Sequence, residues 1–164
     1  MNIDKFWTWL WNPPADAPRA VVLLRVMAGS VFLWEGIMKF VFPNLGVGRF
    51  MKLGFPFPGP TSAFTACLEI IGGIFFIAGW QTRTTALLFA IEMLVAVLST
   101  KIPLYLGTYP LALPPAPPQI GFWAVLHEVR SEYAQMFVSI FLALAGPGPL
   151  SMDARCKAQK ETRS

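Results

Sequence analysis

The chain has 164 residues, of which 55% are hydrophobic and 13% are charged, and its mean hydropathy is +0.54. A soluble domain of this size could not bury that much apolar surface, so we expect the lipid bilayer to be its solvent. The net charge of +4 does not indicate nucleic-acid binding, because the basic residues are scattered around predicted helix ends and the tail.

The first 18 residues form a predicted interfacial amphipathic segment. Trp7, Trp9 and Trp11 suit the headgroup region, where an indole ring is buried while its N–H stays hydrated. We expect a helical membrane domain over residues 19–146 and a basic cytoplasmic tail over 147–164.

The membrane domain is predicted to be an all-α bundle of four transmembrane helices. The expected spans are residues 19–42, 61–80, 84–101 and 130–145. The fourth is the least regular, because its apolar run is short and its first turns are polar. Glycine and proline predict a loop over 44–60, and a proline-rich outer loop over 101–128 in which Pro103 ends the third span.

Orientation follows from the Lys and Arg residues outside the spans or at their ends. Placing both termini in the cytoplasm puts seven of these residues inside and four outside, which favours an N-in and C-in topology. The inside set is Lys5, Arg19, Arg83, Arg155, Lys157, Lys160 and Arg163, and the outside set is Arg49, Lys52, Lys101 and Arg130.

Six of the ionisable residues within the predicted spans form the candidate ligand site. They are Arg25, Glu35, Lys39, Glu69, Glu92 and Glu132. A charge near the bilayer centre costs about 3 kcal/mol, so these groups should face other helices or a hydrated cavity. Depth along each span predicts that Arg25 pairs with Glu92, and that Lys39 pairs with Glu35 or with Glu132.

Two interpretations of these buried charges stay open. They either only lock the helices in register, or they line a polar pocket for a small redox ligand, a proton or a substrate headgroup. A metal site is not expected, because His127 is the one histidine and no Glu-x-x-His pair exists. Neither a nucleotide loop nor a Ser/His/Asp set is visible, so the chain shows no self-sufficient catalytic motif. Cys67 and Cys156 fall too far apart for a disulfide.

The order of several short motifs resembles the DoxX family of small bacterial membrane proteins. The motifs are LLRVMAGSVFLWEGIMKF, then CLEIIGGIFFIAGWQTRTTALLFAIEMLVAVL, then an acidic residue opening a last span that closes as LALAGPGPLSMDA. The resemblance covers residues 23–154 and implies a four-helix bundle in the bacterial inner membrane. It also implies an association with quinone-linked or oxidative-stress electron transfer.

Two functional hypotheses follow. In the first, the chain is a quinone-interacting subunit of a membrane oxidoreductase; Arg25, Lys39, Glu69 and Glu92 line the pocket, and Phe32, Trp34 and Phe76 flank a ring. In the second, it is a non-catalytic scaffold or assembly partner whose charges only specify packing. A small transporter is a weaker third reading, since no inverted repeat is visible. No cofactor other than quinone is suggested, and a protein partner or homo-oligomer is expected.

Overall fold

The computed structural model describes residues 2–14 and 16–162, with Lys160 and Glu161 described in main chain only. All regular structure within these residues is helical. The helices are α1 (Ile3–Trp11), α2 (Val21–Val41), α3 (Val47–Lys52), α4 (Pro58–Ala78), α5 (Thr82–Leu106), α6 (Phe122–Glu128), α7 (Arg130–Ala145) and α8 (Met152–Glu161). Met1, Ala15, Arg163 and Ser164, which the sequence assigned to the interfacial segment and the tail, lie outside the described residues.

Three of the described helices are long and apolar enough to cross a membrane, namely α2, α4 and α5. α7 packs alongside α5 but has 16 residues. At a rise of about 1.5 Å per residue it spans about 24 Å, less than a hydrocarbon core of about 30 Å. The all-helical fold is confirmed, whereas a fourth span stays a prediction for α7.

The long helices pack antiparallel in two pairs, α2 with α4 and α5 with α7. α2 and α4 approach closely, because a Cβ atom added at Gly36 would lie 2.7 Å from the Ala66 carbonyl oxygen. Close approach through small residues is the usual way in which membrane helices associate.

We call the end where α2 and α5 begin the arginine end, after Arg25 and Arg83. The opposite end is the lysine end, after Lys39 and Lys101.

Aromatic rings fill the centre of the bundle where three long helices meet. The Phe32 and Phe89 rings are stacked with centroids 3.6 Å apart, and Phe76 meets both edge-on. All three side chains are almost fully buried. Many apolar side chains on the outer faces of the same helices are exposed, as expected for surfaces that contact lipid.

The prediction of an irregular loop over 44–60 is wrong in two places. A short helix, α3, occupies residues 47–52, and α4 begins at Pro58 rather than at Thr61. Pro58 and Pro60 fit the first turn of α4, because main-chain N–H groups there have no intrahelical partner to lose. Proline therefore starts a helix here instead of interrupting one.

The third span also extends further than predicted, since α5 continues through Pro103 to Leu106. A proline so near a helix end removes little more than its own N–H bond to the preceding turn. The loop that follows, residues 107–121, folds back over the lysine end. Its Tyr109 lies close to Arg49 of α3 and to Glu128 and Glu132, and partial burial raises the pKa of the Tyr109 phenol.

Candidate functional site

Lys39 and Glu69 form an ion pair between the last turn of α2 and the middle of α4. The Lys39 Nζ atom donates to Oε2 of Glu69 at 2.5 Å. Only 13% of the Lys39 side chain and 4% of the Glu69 side chain are exposed. The close packing at Gly36, three residues before Lys39, brings the ammonium within reach of α4. The close contact between the two helices at Gly36 therefore allows the ion pair to form.

A second carboxyl, Glu92 of α5, lies within hydrogen-bonding reach of Glu69. Two carboxyl groups at this separation can be joined by a shared proton, since a protonated carboxyl donates and an ionised one accepts. The Oε2 atom of Glu92 is buried and has no hydrogen-bond partner among the described residues. A buried acceptor without a donor is costly, so a donor group that reached this oxygen would stabilise it.

Glu35 of α2 is close enough to add its charge to the field at Glu69. We call Glu35, Lys39, Glu69 and Glu92 the lysine–glutamate cluster. One ammonium there faces three carboxyls, so the cluster has spare capacity for a proton or for a hydrogen-bond donor. Four of the six predicted site residues are thus brought together.

Arg25, the fifth predicted residue, lies elsewhere, and its predicted pairing with Glu92 is wrong. The residue is 1% exposed, and its guanidinium donates to the carbonyl oxygens of Pro147 at 2.9 Å and Leu150 at 2.7 Å. The turn that follows α7 folds back beneath α2 and supplies these carbonyls. Main-chain carbonyls therefore stabilise the charge of Arg25 at the arginine end, away from the cluster.

Glu132, the sixth predicted residue, also lies outside the cluster. It pairs with Lys101 at 2.7 Å across the α5–α7 contact near the lysine end. Both predicted partners of Lys39, Glu35 and Glu132, are therefore wrong. The sequence predicts Lys101 as a charge outside the bundle, because a helix end at Pro103 would place it at the edge of the third span.

Sequence reasoning missed Arg83 as a structural residue. Its guanidinium donates to the carbonyl oxygens of Ala143 at 2.9 Å and Trp9 at 2.5 Å, and it lies 4.4 Å from the centroid of the Trp9 ring. Arg83 thus ties α1, α5 and α7 together. Its position beside a short helix–helix turn was used only to predict the orientation of the chain in the membrane.

Asp153, at the start of α8, stabilises the beginning of α5. Its two carboxylate oxygens accept hydrogen bonds from the main-chain N–H groups of Gln81 at 2.9 Å and Thr82 at 3.0 Å. These groups are among the first of the helix and have no intrahelical acceptor, so an acidic side chain there replaces one. The segment after α7 is therefore fastened to the membrane domain at two points, Arg25 and Asp153.

The aromatic residues proposed to flank a ring divide between two environments. Phe32 and Phe76 belong to the packed core with Phe89, whereas 51% of Trp34 is exposed on the outer face of α2. The stacked Phe32 and Phe89 rings leave no gap for another ring between them. A ring reaching the cluster would have to approach from the side of Glu35, which is partly exposed next to Trp34.

Across residues 2–14 and 16–162, no group of three His, Cys, Asp or Glu side chains is arranged to hold a metal ion. The three carboxyls of the cluster are included in that statement.

The sequence model of the DoxX family matches residues 20–102, about half of the chain. The chain belongs to the DoxX family. This confirms the resemblance drawn from the motifs, and the matched segment contains the whole lysine–glutamate cluster. Glu132 and the α6–α7 segment lie beyond it.

Two relatives are similar over most of their length. The "Uncharacterized membrane protein Rv3486" of Mycobacterium tuberculosis (strain ATCC 25618 / H37Rv) is 35% identical over 147 residues, covering 86% of this chain and 83% of the relative. The "Putative oxidoreductase CatD" of Bacillus subtilis (strain 168) is 27% identical over 132 residues, covering 80% and 83%. No solved structure gives a significant match. DoxX membership and membrane location are therefore established for this chain at the level of the family.

Proposed function

We propose that this DoxX protein is a quinone-interacting subunit of a membrane oxidoreductase and that the lysine–glutamate cluster is its ligand site. The observation that carries the proposal is the buried Oε2 atom of Glu92, which has no hydrogen-bond partner among the described residues. It lies beside a carboxyl and an ammonium that can both exchange hydrogen bonds with a ligand. Intramembrane ionisable groups commonly mark ligand or proton sites.

The residues of the cluster fit the needs of a quinone. A ring carbonyl accepts hydrogen bonds, and Lys39 supplies an ammonium donor in a largely dry environment. The Glu69–Glu92 pair can hold a proton close to that carbonyl. The quinone would supply the redox chemistry and a partner redox protein the electrons, while this chain binds the ring, orients it and exchanges a proton.

The relatives support the oxidoreductase part of the proposal. The Bacillus subtilis relative carries the name "Putative oxidoreductase CatD", and it is similar over 80% of this chain. That name says nothing of quinone, so the quinone part depends on the chemistry of the cluster. For the location we propose the bacterial inner membrane, with the arginine end and both termini in the cytoplasm. The predicted inside residues Arg19 and Arg83 lie at that end.

The experiment is to purify the protein in native-lipid particles and identify retained quinones by mass spectrometry. Glu92→Gln keeps the size of the side chain and removes its exchangeable proton, so quinone-dependent electron transfer with a co-purified partner should fall at least tenfold. Glu128→Gln makes the same chemical change on α6, outside the cluster, and should leave the rate unchanged.

The proposal would be abandoned if folded wild-type protein retained no quinone and showed no quinone-dependent transfer with any partner. A different result would favour the scaffold hypothesis. In that case Glu92→Gln would alter the yield of an assembled complex while bound quinone and electron transfer per complex stayed constant.

A further inference from the structure

A surface pocket outside the cluster lies where α6 meets α7 at the lysine end. Its volume is about 630 Å³, and it is lined by Pro118, Trp123, Leu126, His127 and Arg130. One side of the pocket is apolar and aromatic, and the other carries an arginine and a histidine. Nothing in the proposed function uses these residues.

Arg130 and His127 touch each other within this pocket. Nη2 of Arg130 is 3.2 Å from Nε2 of His127. An arginine can only donate, so Nε2 accepts, and the remaining ring N–H at Nδ1 is available as a donor. Neither residue takes part in the ion pairs found among the described residues, which join Lys39 to Glu69 and Lys101 to Glu132. The pocket therefore presents positive charge without a carboxylate to match it.

The position of the pocket in the fold indicates which negatively charged group matches its positive charge. The main-chain N–H of Gly121 donates to the Leu104 carbonyl oxygen, which fixes the start of α6 beside the end of membrane-spanning α5. The exposed side chains of Phe122, Trp123 and Leu126 flank that junction. Aromatic and apolar residues beside a cation at a helix end are typical of the bilayer interface, where phosphate groups lie.

We propose that this pocket binds the phosphate group of an anionic phospholipid in the leaflet at the lysine end. Arg130 and the Nδ1–H of His127 donate to phosphate oxygens, while Trp123 and Leu126 contact the glycerol and the first acyl carbons. Arginine suits this task, since its planar guanidinium can donate two parallel hydrogen bonds to a phosphate. The site is independent of quinone binding.

The test is native mass spectrometry of the full chain in detergent, titrated with phosphatidylglycerol or phosphatidylcholine of the same acyl chains. Wild-type protein should bind phosphatidylglycerol more tightly. Arg130→Gln should weaken that binding about tenfold, as expected for the loss of one charge-assisted hydrogen bond. Lys52→Gln, which removes an exposed cation of α3 at the same end but outside the pocket, should change the affinity less than twofold.

Two results would overturn the proposal. The first is equal affinity of wild-type protein for the two lipids, or an equal loss in Arg130→Gln and Lys52→Gln. The second is displacement of phosphatidylglycerol by inorganic phosphate at comparable concentration, which would assign the site to a soluble anion. Both residues to be substituted, Arg130 and Lys52, are exposed, so circular dichroism of each variant should match that of wild type.

Discussion

Adding one methyl group at Gly36 should separate α2 from α4 and weaken the Lys39–Glu69 pair. The new Cβ atom would lie 2.7 Å from the Ala66 carbonyl oxygen, 2.8 Å from Cγ1 of Ile70 and 3.0 Å from Cβ of Glu69. The Ile70 atom belongs to a side chain that can rotate away, but the Ala66 carbonyl belongs to the main chain of α4. An ordinary contact of a Cβ atom is 3.4–4 Å long, so the two helices must move apart.

The cost of that movement follows from overpacking in a tight interface. Such substitutions typically destabilise by about 1–3 kcal/mol, which lowers the folding equilibrium constant by a factor of about 5 to 150. The greater helix propensity of alanine offsets up to about 1 kcal/mol. We therefore expect Gly36→Ala to lower the free energy of unfolding by about 1–2 kcal/mol.

Gly59 provides the matched control, because it lies in the first turn of α4 and an added Cβ would meet nothing within 4 Å. Gly59→Ala should leave stability unchanged or raise it slightly. The assay is denaturation of both variants and wild type by sodium dodecyl sulfate in mixed micelles, followed by circular dichroism. If Gly36→Ala is as stable as Gly59→Ala, the close contact is not a constraint and our explanation of the Lys39–Glu69 pair fails.

Substitutions at three further sites test the other charged contacts. Arg25→Met removes the donors to two main-chain carbonyls after α7, so trypsin should cut in α8 at least tenfold faster than in wild type; an unchanged rate would mean that Arg25 does not fasten this segment. Asp153→Ala removes the acceptor for the first N–H groups of α5 and should cost about 1 kcal/mol in the same denaturation assay, whereas Asp153→Asn should cost less. Lys101→Met should destabilise by about 3–5 kcal/mol because Glu132 is left unpaired, while adding Glu132→Leu should recover most of the loss; additive effects would argue against the pair.

The sequence was sufficient to predict the positions of the helices that are long and apolar. α2, α4 and α5 were placed within a few residues, because an apolar run of about 20 residues has few alternatives in lipid. α3 was not foreseen, since six residues among glycines carry no periodic signal. The end of α5 was misplaced because proline was read as a stop, although in a final helical turn it disturbs few hydrogen bonds.

Sequence reasoning also found the members of the cluster but not their partners. Depth along each span placed these ionisable groups in one zone but paired Glu92 with Arg25, because depth says nothing about how each helix is rotated. The rotation of α2 is set by Gly36 and its contact with α4, which turns Lys39 toward Glu69 rather than toward Glu132. A pattern within one helix cannot reveal such a contact between helices.

The hydrogen-bond partners of Arg25 could not be predicted from the sequence, for a different reason. Its acceptors are main-chain carbonyls at Pro147 and Leu150, more than 120 residues away in the chain. Every residue type offers a carbonyl, so no choice of side chain marks the acceptor. The one available signal was the Gly-Pro-Gly turn after α7. It was interpreted as the end of a helix rather than as a source of carbonyl oxygens for a cation.

The two interpretations left open by the sequence therefore apply to different ends of the bundle. Arg25 and Arg83 keep their proton at any physiological pH and donate to main-chain carbonyls, so they can fasten helices but cannot exchange protons. The lysine–glutamate cluster has the opposite character, because its carboxyls outnumber its one ammonium and an oxygen of Glu92 lacks a partner among the described residues. Substitution of either arginine should impair folding whatever the function, and only changes within the cluster can separate a ligand site from a packing device.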